Sequence, residues 1–287
     1  MPVSLSSSIE MIDTLQFGLA GIGAAYHIHG KRHALIDTGT SHAATRIREE
    51  LGSHAPDFIF LTHVHPDHAG GAALLAQAYP QAMVGVHERG VRHLVDPVRI
   101  NASVRASTGP LADLYGEMLP APLERIVVLK GGECFDLGKG IVIEVIDAPG
   151  HAPHHLCFFE RSHRALFCGD ALGIWRREMH VPATVPPSFD SEQSLATIKR
   201  LAEYQPEYLY LSHFGEVRDA ATYIDRYDLL LREWVGMISE LHRIGFNLVP
   251  SDTIYSMVRL DDGIAFRTAL LRHGILVRDC TSFGLPQ

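Results

Sequence analysis

Four side chains able to hold a metal ion fall within six positions, His63-Val64-His65-Pro66-Asp67-His68. Neutral imidazole offers a lone pair near pH 7, which makes histidine the commonest side-chain metal ligand. The apolar run before them, DFIFL at 57–61, reads as a buried strand. His63 and His65 therefore leave the strand end on the same side, where two imidazoles can grip one ion. Asp67 and His68 lie one turn further, where the next helix begins, and face a second ion beside the first. A polar surface loop is the alternative, but HxHxDH followed by AGG and a helix favours a metal site. The chain holds 18 histidines among 287 residues, and their placement matters more than their number.

The elements that must position these groups alternate between strand and helix. Residues 25–29 and 33–37 flank Gly30-Lys31-Arg32 as a hairpin. A helix over 40–51 follows, with Thr40 or Ser41 as cap and Gly52 as stop. After the metal motif come an Ala/Leu-rich helix over 71–79 and a strand over 83–87. Residues 88–122 form a helical excursion able to cover the site. Strands return at 126–129, 134–136, 141–148, 156–160 and 165–168. A helix over 195–204 leads to a last short strand, 208–211, and then to Ser212-His213. A long amphipathic helix over 219–244 comes next, and its apolar face (Leu229, Leu230, Trp234, Ile238) is expected in a core. Shorter helices are expected around 252–260 and 264–273. The expected division is residues 1–218 as the catalytic domain and 219–287 as a helical extension, packed on that domain or on a second copy.

THVHPDHAGG resembles the signature of the metallo-β-lactamase superfamily. Further pieces fall in the family's order: LIDTG with Asp37, APGH with His151, FCGD with Asp170 and LSH with His213. The resemblance runs from about residue 9 to 215. It implies an α/β fold, a four-layer αβ/βα sandwich with metals at one edge of its two sheets. It implies that His63, His65 and His151 hold one divalent ion, that Asp67, His68 and His213 hold another, and that Asp170 bridges both. Zinc, iron and manganese all suit such imidazole and carboxylate donors. Two dications bring four positive charges and the two carboxylates cancel two, so bound water is acidified and a substrate oxygen polarised. True β-lactamases usually lack the bridging aspartate and differ where His68 stands. Hydroxyacylglutathione hydrolases share the ligand set but carry a basic C-terminal patch, and no such cluster follows His213. Flavin-linked diiron relatives replace the second histidine with glutamate, and His65 stands against that branch. The expected function is hydrolysis of a small ester, thioester or lactone, with Asp67 orienting the nucleophile or receiving a proton. A diiron oxygen-binding or redox protein, and a ligand-sensing regulator that keeps the site, are the alternatives.

Around these residues the roles stay open. Asp37 either stands behind a ligating histidine and fixes its tautomer, or caps the following helix. His154 and His155 line the site or sit in a loop or core, and His87 is favoured over His93 as a neighbour. Trp175, His180 and the stretch Pro186-Pro187-Ser188-Phe189-Asp190 either wall a substrate pocket or pack against the C-terminal helices. Strand alternation turns Cys168 away from its neighbours, as a buried structural thiol.

Bulk properties agree with an ordinary globular chain, 46% hydrophobic and 20% charged. The formal net charge of −8 disfavours nucleic acid as a partner. No run is long and apolar enough for a membrane span, and residues 1–10 do not read as a secretory signal. Four scattered cysteines read as reduced thiols of a cytoplasmic protein. A small molecule is the expected partner, with a homodimer as a further expectation.

Overall fold

The computed structural model describes residues 3, 4, 6, 8–176, 179–184, 188–243, 248–249 and 257–258. Short apolar runs, several of them buried on both faces, build most of its strands. In β1 (Val3–Ser4), β2 (Ile9–Asp13), β3 (Ala24–His29), β4 (His33–Ile36), β5 (Phe58–Phe60), β6 (Met83–His87) and β7 (Ile126–Leu129), neighbours in sequence are neighbours in one sheet. The first four strands are antiparallel and β4 to β7 are parallel. Parallel strands need crossovers, and helices supply them: α1 (Ala43–Leu51) joins β4 to β5, while α2 (Pro66–Ala69) and α3 (Ala72–Ala78) join β5 to β6. Between β6 and β7 run α4 (Val91–Val95) and α5 (Val98–Thr108), the expected excursion.

The second sheet contains β8 (Cys134–Gly138), β9 (Ile141–Asp147), β10 (Leu156–Glu160), β11 (Ala165–Gly169), β14 (Tyr208–Leu211) and β15 (Gly215–Val217). A small ribbon of β12 (Ile174–Arg176) and β13 (Met179–Val181) interrupts it, which the sequence pattern did not suggest. The helices α6 (Ser191–Glu203) and α7 (Ala220–Arg243) cover its outer face.

Three buried layers result, as sandwich architecture requires. Ile47, Leu51, Leu75 and Leu94 pack on the outer face of the first sheet with Leu35 and Ile59. Tyr26, Phe60, Phe158, Phe167 and Tyr210 fill the space between the sheets. Cys157, Cys168, Ile198 and Leu201 pack with Tyr223, Ile224, Tyr227 and Leu231 outside the second sheet. Cys168 is buried, as alternation indicated.

Some expectations are corrected. The buried stripe of α7 is carried by its tyrosines and Leu231, whereas Leu229 and Ile238 are exposed, at 59% and 38%. Hydrophobic spacing alone could not tell which helix face meets the sheet. Leu230 is partly buried against the third core, and Trp234 is half-buried. α1 begins after His42 with no side-chain cap; the Ser41 hydroxyl goes instead to the Tyr115 carbonyl at 3.1 Å. Where a helix was expected around 252–260, β17 (Met257–Val258) pairs with β16 (Leu248–Val249). The helix expected at 264–273, Cys280, Pro186 and Pro187 lie outside the described residues.

Candidate metal centre

Strands β4, β5, β9, β11 and β14 all finish at the same edge of the sandwich. Their following residues supply Asp37, His63 with His65, His151, Asp170 and His213. Ligand sites of open α/β sheets lie at such carboxyl ends. Backbone links hold the two sheets together here: Leu156 N–H donates to Thr62 O at 2.7 Å, and Ala24 N–H to Ser212 O at 2.9 Å. Glycine opens two of the ligand loops. A Cβ on Gly150 would strike Ser194, and one on Gly169 (φ 52°) would strike His155 and Thr62. Each precedes a ligand position, so close backbone approach sets where His151 and Asp170 stand.

The seven sequence-derived residues meet in two groups. His65 Nδ1 lies 2.8 Å from His63 Nε2 and 3.0 Å from His151 Nε2. In the second group, His213 Nε2 lies 3.5 Å from Asp67 Oδ2, and His68 Nε2 lies 4.0 Å from the same oxygen. Asp170 faces both. Its Oδ2 is 3.4 Å from His151 Nε2, while its Oδ1 is 3.4 Å from His68 Nε2 and 3.6 Å from His213 Nε2. His63, His68, His151, Asp170 and His213 are buried; His65 and Asp67 are half-buried.

Hydrogen bonds behind the rings decide which nitrogens face inward. His151 Nδ1 donates to Ala183 O at 2.8 Å and His213 Nδ1 to Ile22 O at 2.9 Å. A carbonyl only accepts, so the Nε2 atoms of both present lone pairs to the centre. His68 Nδ1 donates to Asp37 Oδ2 at 2.9 Å, with the same result. The Thr62 hydroxyl spends its proton on Asp37 and so accepts from His63 Nδ1 at 3.1 Å. Asp37 also accepts from Thr62 N–H at 2.8 Å and from Ser212 Oγ at 2.9 Å. Asp37 thus orients ligand side chains and caps no helix.

This donor set fits two cations. One proton cannot satisfy three facing imidazole lone pairs, whereas one ion can. His68 Nε2 and Asp170 Oδ1 are buried without a hydrogen-bond partner among the described residues. The separations in the second group run from 3.4 to 4.0 Å, at and somewhat above the edge of a tetrahedron around zinc, about 3.4 Å; the first group is tighter. Electrostatics ask for positive charge at the same place. Burial would lower His68, but Asp170, Asp67 and Asp37 hold it up to about 10, so a proton takes the place a cation would fill. Burial would raise Asp170, yet His68, His213 and His151 bring it to about 2. Burial and neighbouring His151 push His65 down to about 3, which keeps its lone pair available.

The other expected neighbours separate. His155 is fully buried; its Nε2 accepts from Asp170 N–H at 3.0 Å and its ring stacks on His63 at 4.9 Å. It positions the centre and faces no pocket. His154 lies 6.2 Å, ring to ring, from His63 and from His65. His87 meets Asp147 (3.6 Å) and accepts from the Arg89 N–H (3.1 Å). Trp175 packs as one of its two expected roles has it and also lines a cleft. It packs beside the third core and, with Met11, Ala20, Gly21, Phe214, Gly215 and Glu216, lines an open cleft of about 470 Å³ next to His213. Phe189 is half-buried and packs against the third core beside α6 and the second sheet. His180 sits against Tyr223 and Tyr227.

Sequence reasoning missed Gln16, whose Nε2 donates to Asp67 Oδ2 at 3.2 Å. It also missed Thr62, Ser212 and Tyr115. Burial and the Asp67 carboxylate raise the Tyr115 phenol to about 12. Thr62 and Ser212 are adjacent to ligands in sequence, and that adjacency was the one available signal.

A model of the metallo-beta-lactamase superfamily matches residues 18–213. A metallo-beta-lactamase fold-containing protein of Sulfurisphaera tokodaii is 30% identical over 201 residues, 68% of this chain and 74% of that protein. A hydroxyacylglutathione hydrolase of Albidiferax ferrireducens is 30% identical over 184 residues, 61% of this chain and 58% of that enzyme. An atrochrysone carboxyl ACP thioesterase of Aspergillus fumigatus is 25% identical over 264 residues, 88% of this chain and 53% of its own length. The chain thus spans less than two thirds of these two enzymes. Among solved structures, an archaeal superfamily protein from Sulfolobus tokodaii aligns with TM-score 0.68 at 25% identity, covering 94% of this chain and 96% of that one.

Proposed function

The chain belongs to the metallo-β-lactamase superfamily, and we propose that it is a metal-dependent hydrolase of a small thioester or ester, using a dinuclear centre. The observation that carries this reading is the position of Asp170, whose two oxygens face separate imidazole groups. Similarity to a hydroxyacylglutathione hydrolase and to an ACP thioesterase supports the thioester class. Two divalent ions would supply hydroxide near neutral pH and a Lewis acid for the carbonyl oxygen.

The chain's own groups do the rest. His63, His65 and His151 form one donor set, Asp67, His68 and His213 the other, and Asp170 belongs to both. Asp67 is held ionised well below the usual carboxylate range: burial opposes this, and His68 and His213 overcome it. Gln16 fixes its Oδ2. Asp67 is thereby kept ionised and placed to orient an attacking water, while its acidity makes it a weak acceptor for that water's proton. The cleft beside His213 offers polar and apolar surface in about equal measure, with the Glu216 carboxylate as its one acid. It suits an uncharged acyl group better than an anionic tail.

The test is a panel of acyl thioesters, aryl esters and lactones, assayed with protein stripped by chelator and then reloaded with zinc, iron or manganese. Hydrolysis that vanishes on stripping and returns on reloading is expected, with uncharged acyl thioesters preferred over S-lactoylglutathione. Oxygen consumption by iron-loaded protein with no hydrolysis would replace this reading with a redox one.

A further inference from the structure

A second histidine cluster stands at the opposite end of the first sheet from the centre. β3 alternates, so His27 and His29 share the face of Ala25, which α1 covers. The β3–β4 hairpin pairs His29 directly with His33, and β2 pairs Glu10 with His27. His54, two residues beyond the Gly52 stop of α1, completes the group: its ring lies 5.4 Å from His33, stacked, and 5.5 Å from His29. His33 opens β4 and Asp37 follows its end, so the cluster and the centre are separated by roughly 13 Å of strand at about 3.3 Å per residue.

Its geometry is that of a donor set. His27 Nε2 lies 3.0 Å from His33 Nδ1. Glu10 Oε2 lies 2.9 Å from His29 Nε2 and 3.8 Å from His27 Nδ1. One nitrogen from each of His27, His29 and His33 falls within 4.8 Å of the others. His27 is buried, while His29 and His33 are part-exposed, so one side stays open to water. Apolar packing does not explain three imidazoles crowded around one point beside a carboxylate.

We propose that His27, His29 and His33, with Glu10 beside them, form a peripheral site for a single divalent transition-metal ion of the imidazole-preferring class, such as zinc, nickel or copper. Three imidazoles with an open position suit those ions, whereas calcium and magnesium want oxygen donors. Burial, together with His29, His33 and His54, pushes His27 down to about 3, so its lone pair is available at neutral pH. An ion there would tie β2, β3 and β4 together.

The experiment counts ions rather than turnover, so its outcome is independent of the hydrolase reading. Chelator-stripped full-length protein is titrated with zinc, desalted and analysed for metal, beside the double variant His29→Ala/His33→Ala. The wild type should retain one more ion per chain than the variant. His33→Gln, which keeps the side-chain bulk, should lose the same ion and guards against a folding artefact. With His63→Ala/His65→Ala the peripheral ion should remain, and copper loaded there should give an electron paramagnetic resonance spectrum split by imidazole nitrogens, absent once His29 and His33 are also removed. Equal zinc counts and equal chelator-competition curves for wild type, the double variant and His33→Gln would overturn the proposal.

Discussion

Asp37 accepts a hydrogen bond from His68 Nδ1 at 2.9 Å with both side chains almost wholly buried, and the same carboxylate takes protons from Thr62 and Ser212. One buried group thus ties the ends of β4, β5 and β14 and sets the tautomer of a ligand position. Asp37→Asn should turn an N–H toward His68 Nδ1 and lower metal affinity 10- to 100-fold. Asp37→Ala, which strands all these donors, should cost about 3–5 kcal/mol of stability. Chelator competition and thermal melts measure the two effects, and wild-type metal affinity in Asp37→Asn would show that His68 needs no such orientation.

Asp170 contacts both imidazole groups, so its removal should separate them. Asp170→Ala is expected to lower kcat at least about 100-fold, the scale on which single electrostatic groups act, and to bind its two zinc ions with unequal affinity. In chelator its melting temperature should also fall, by less than the loss of activity would suggest, because buried His68 loses the carboxylate that does most to hold it protonated. Wild-type turnover in this variant would remove Asp170 from the mechanism.

The thiols should divide by burial. Burial raises Cys157 well above its ordinary range, and Cys168 likewise. Cys134 is exposed. Native protein treated with iodoacetamide at pH 8 should carry label at Cys134 and none at Cys157 or Cys168, since only thiolate reacts. Peptide mapping by mass spectrometry decides it; label at Cys168 before unfolding would contradict the third core as described.

Acid should destabilise the metal-free protein before its carboxylates titrate. His27, His65 and His154 are each held down to about 3. Below pH 6.5 the unfolded chain protonates them and the folded chain does not, so stability present above pH 6.5 is lost as pH falls towards 3. The slope is about 1.4 kcal/mol per pH unit for each fully shifted group. His68, raised to about 10, acts in the other sense, but its contribution is already complete below pH 6.5. Urea unfolding in chelator at pH 7, 6 and 5 should show the decline, and a flat profile would mean these imidazoles protonate in the folded state.

The donor residues of the centre could be read from sequence because short-range geometry places them. HxHxDH after an apolar strand gives four of them within six positions, whereas His151, Asp170 and His213 were read only through the resemblance of APGH, FCGD and LSH to the family's motifs. Strand positions were legible because a short apolar run bounded by turn residues is a local signal. What only the tertiary structure decided depends on contacts between distant segments. Asp37 meets Ser212 across 175 residues, and Gln16 meets Asp67 across 51. No spacing rule connects such pairs. The buried face of α7 and the fate of Phe189 were likewise set by where the second sheet lies, because amphipathic spacing says that a face is buried without saying against what. The peripheral histidines show the same division: HIHGKRH is visible in the sequence, but only hairpin register and the return of His54 beside it turn that spacing into a cluster.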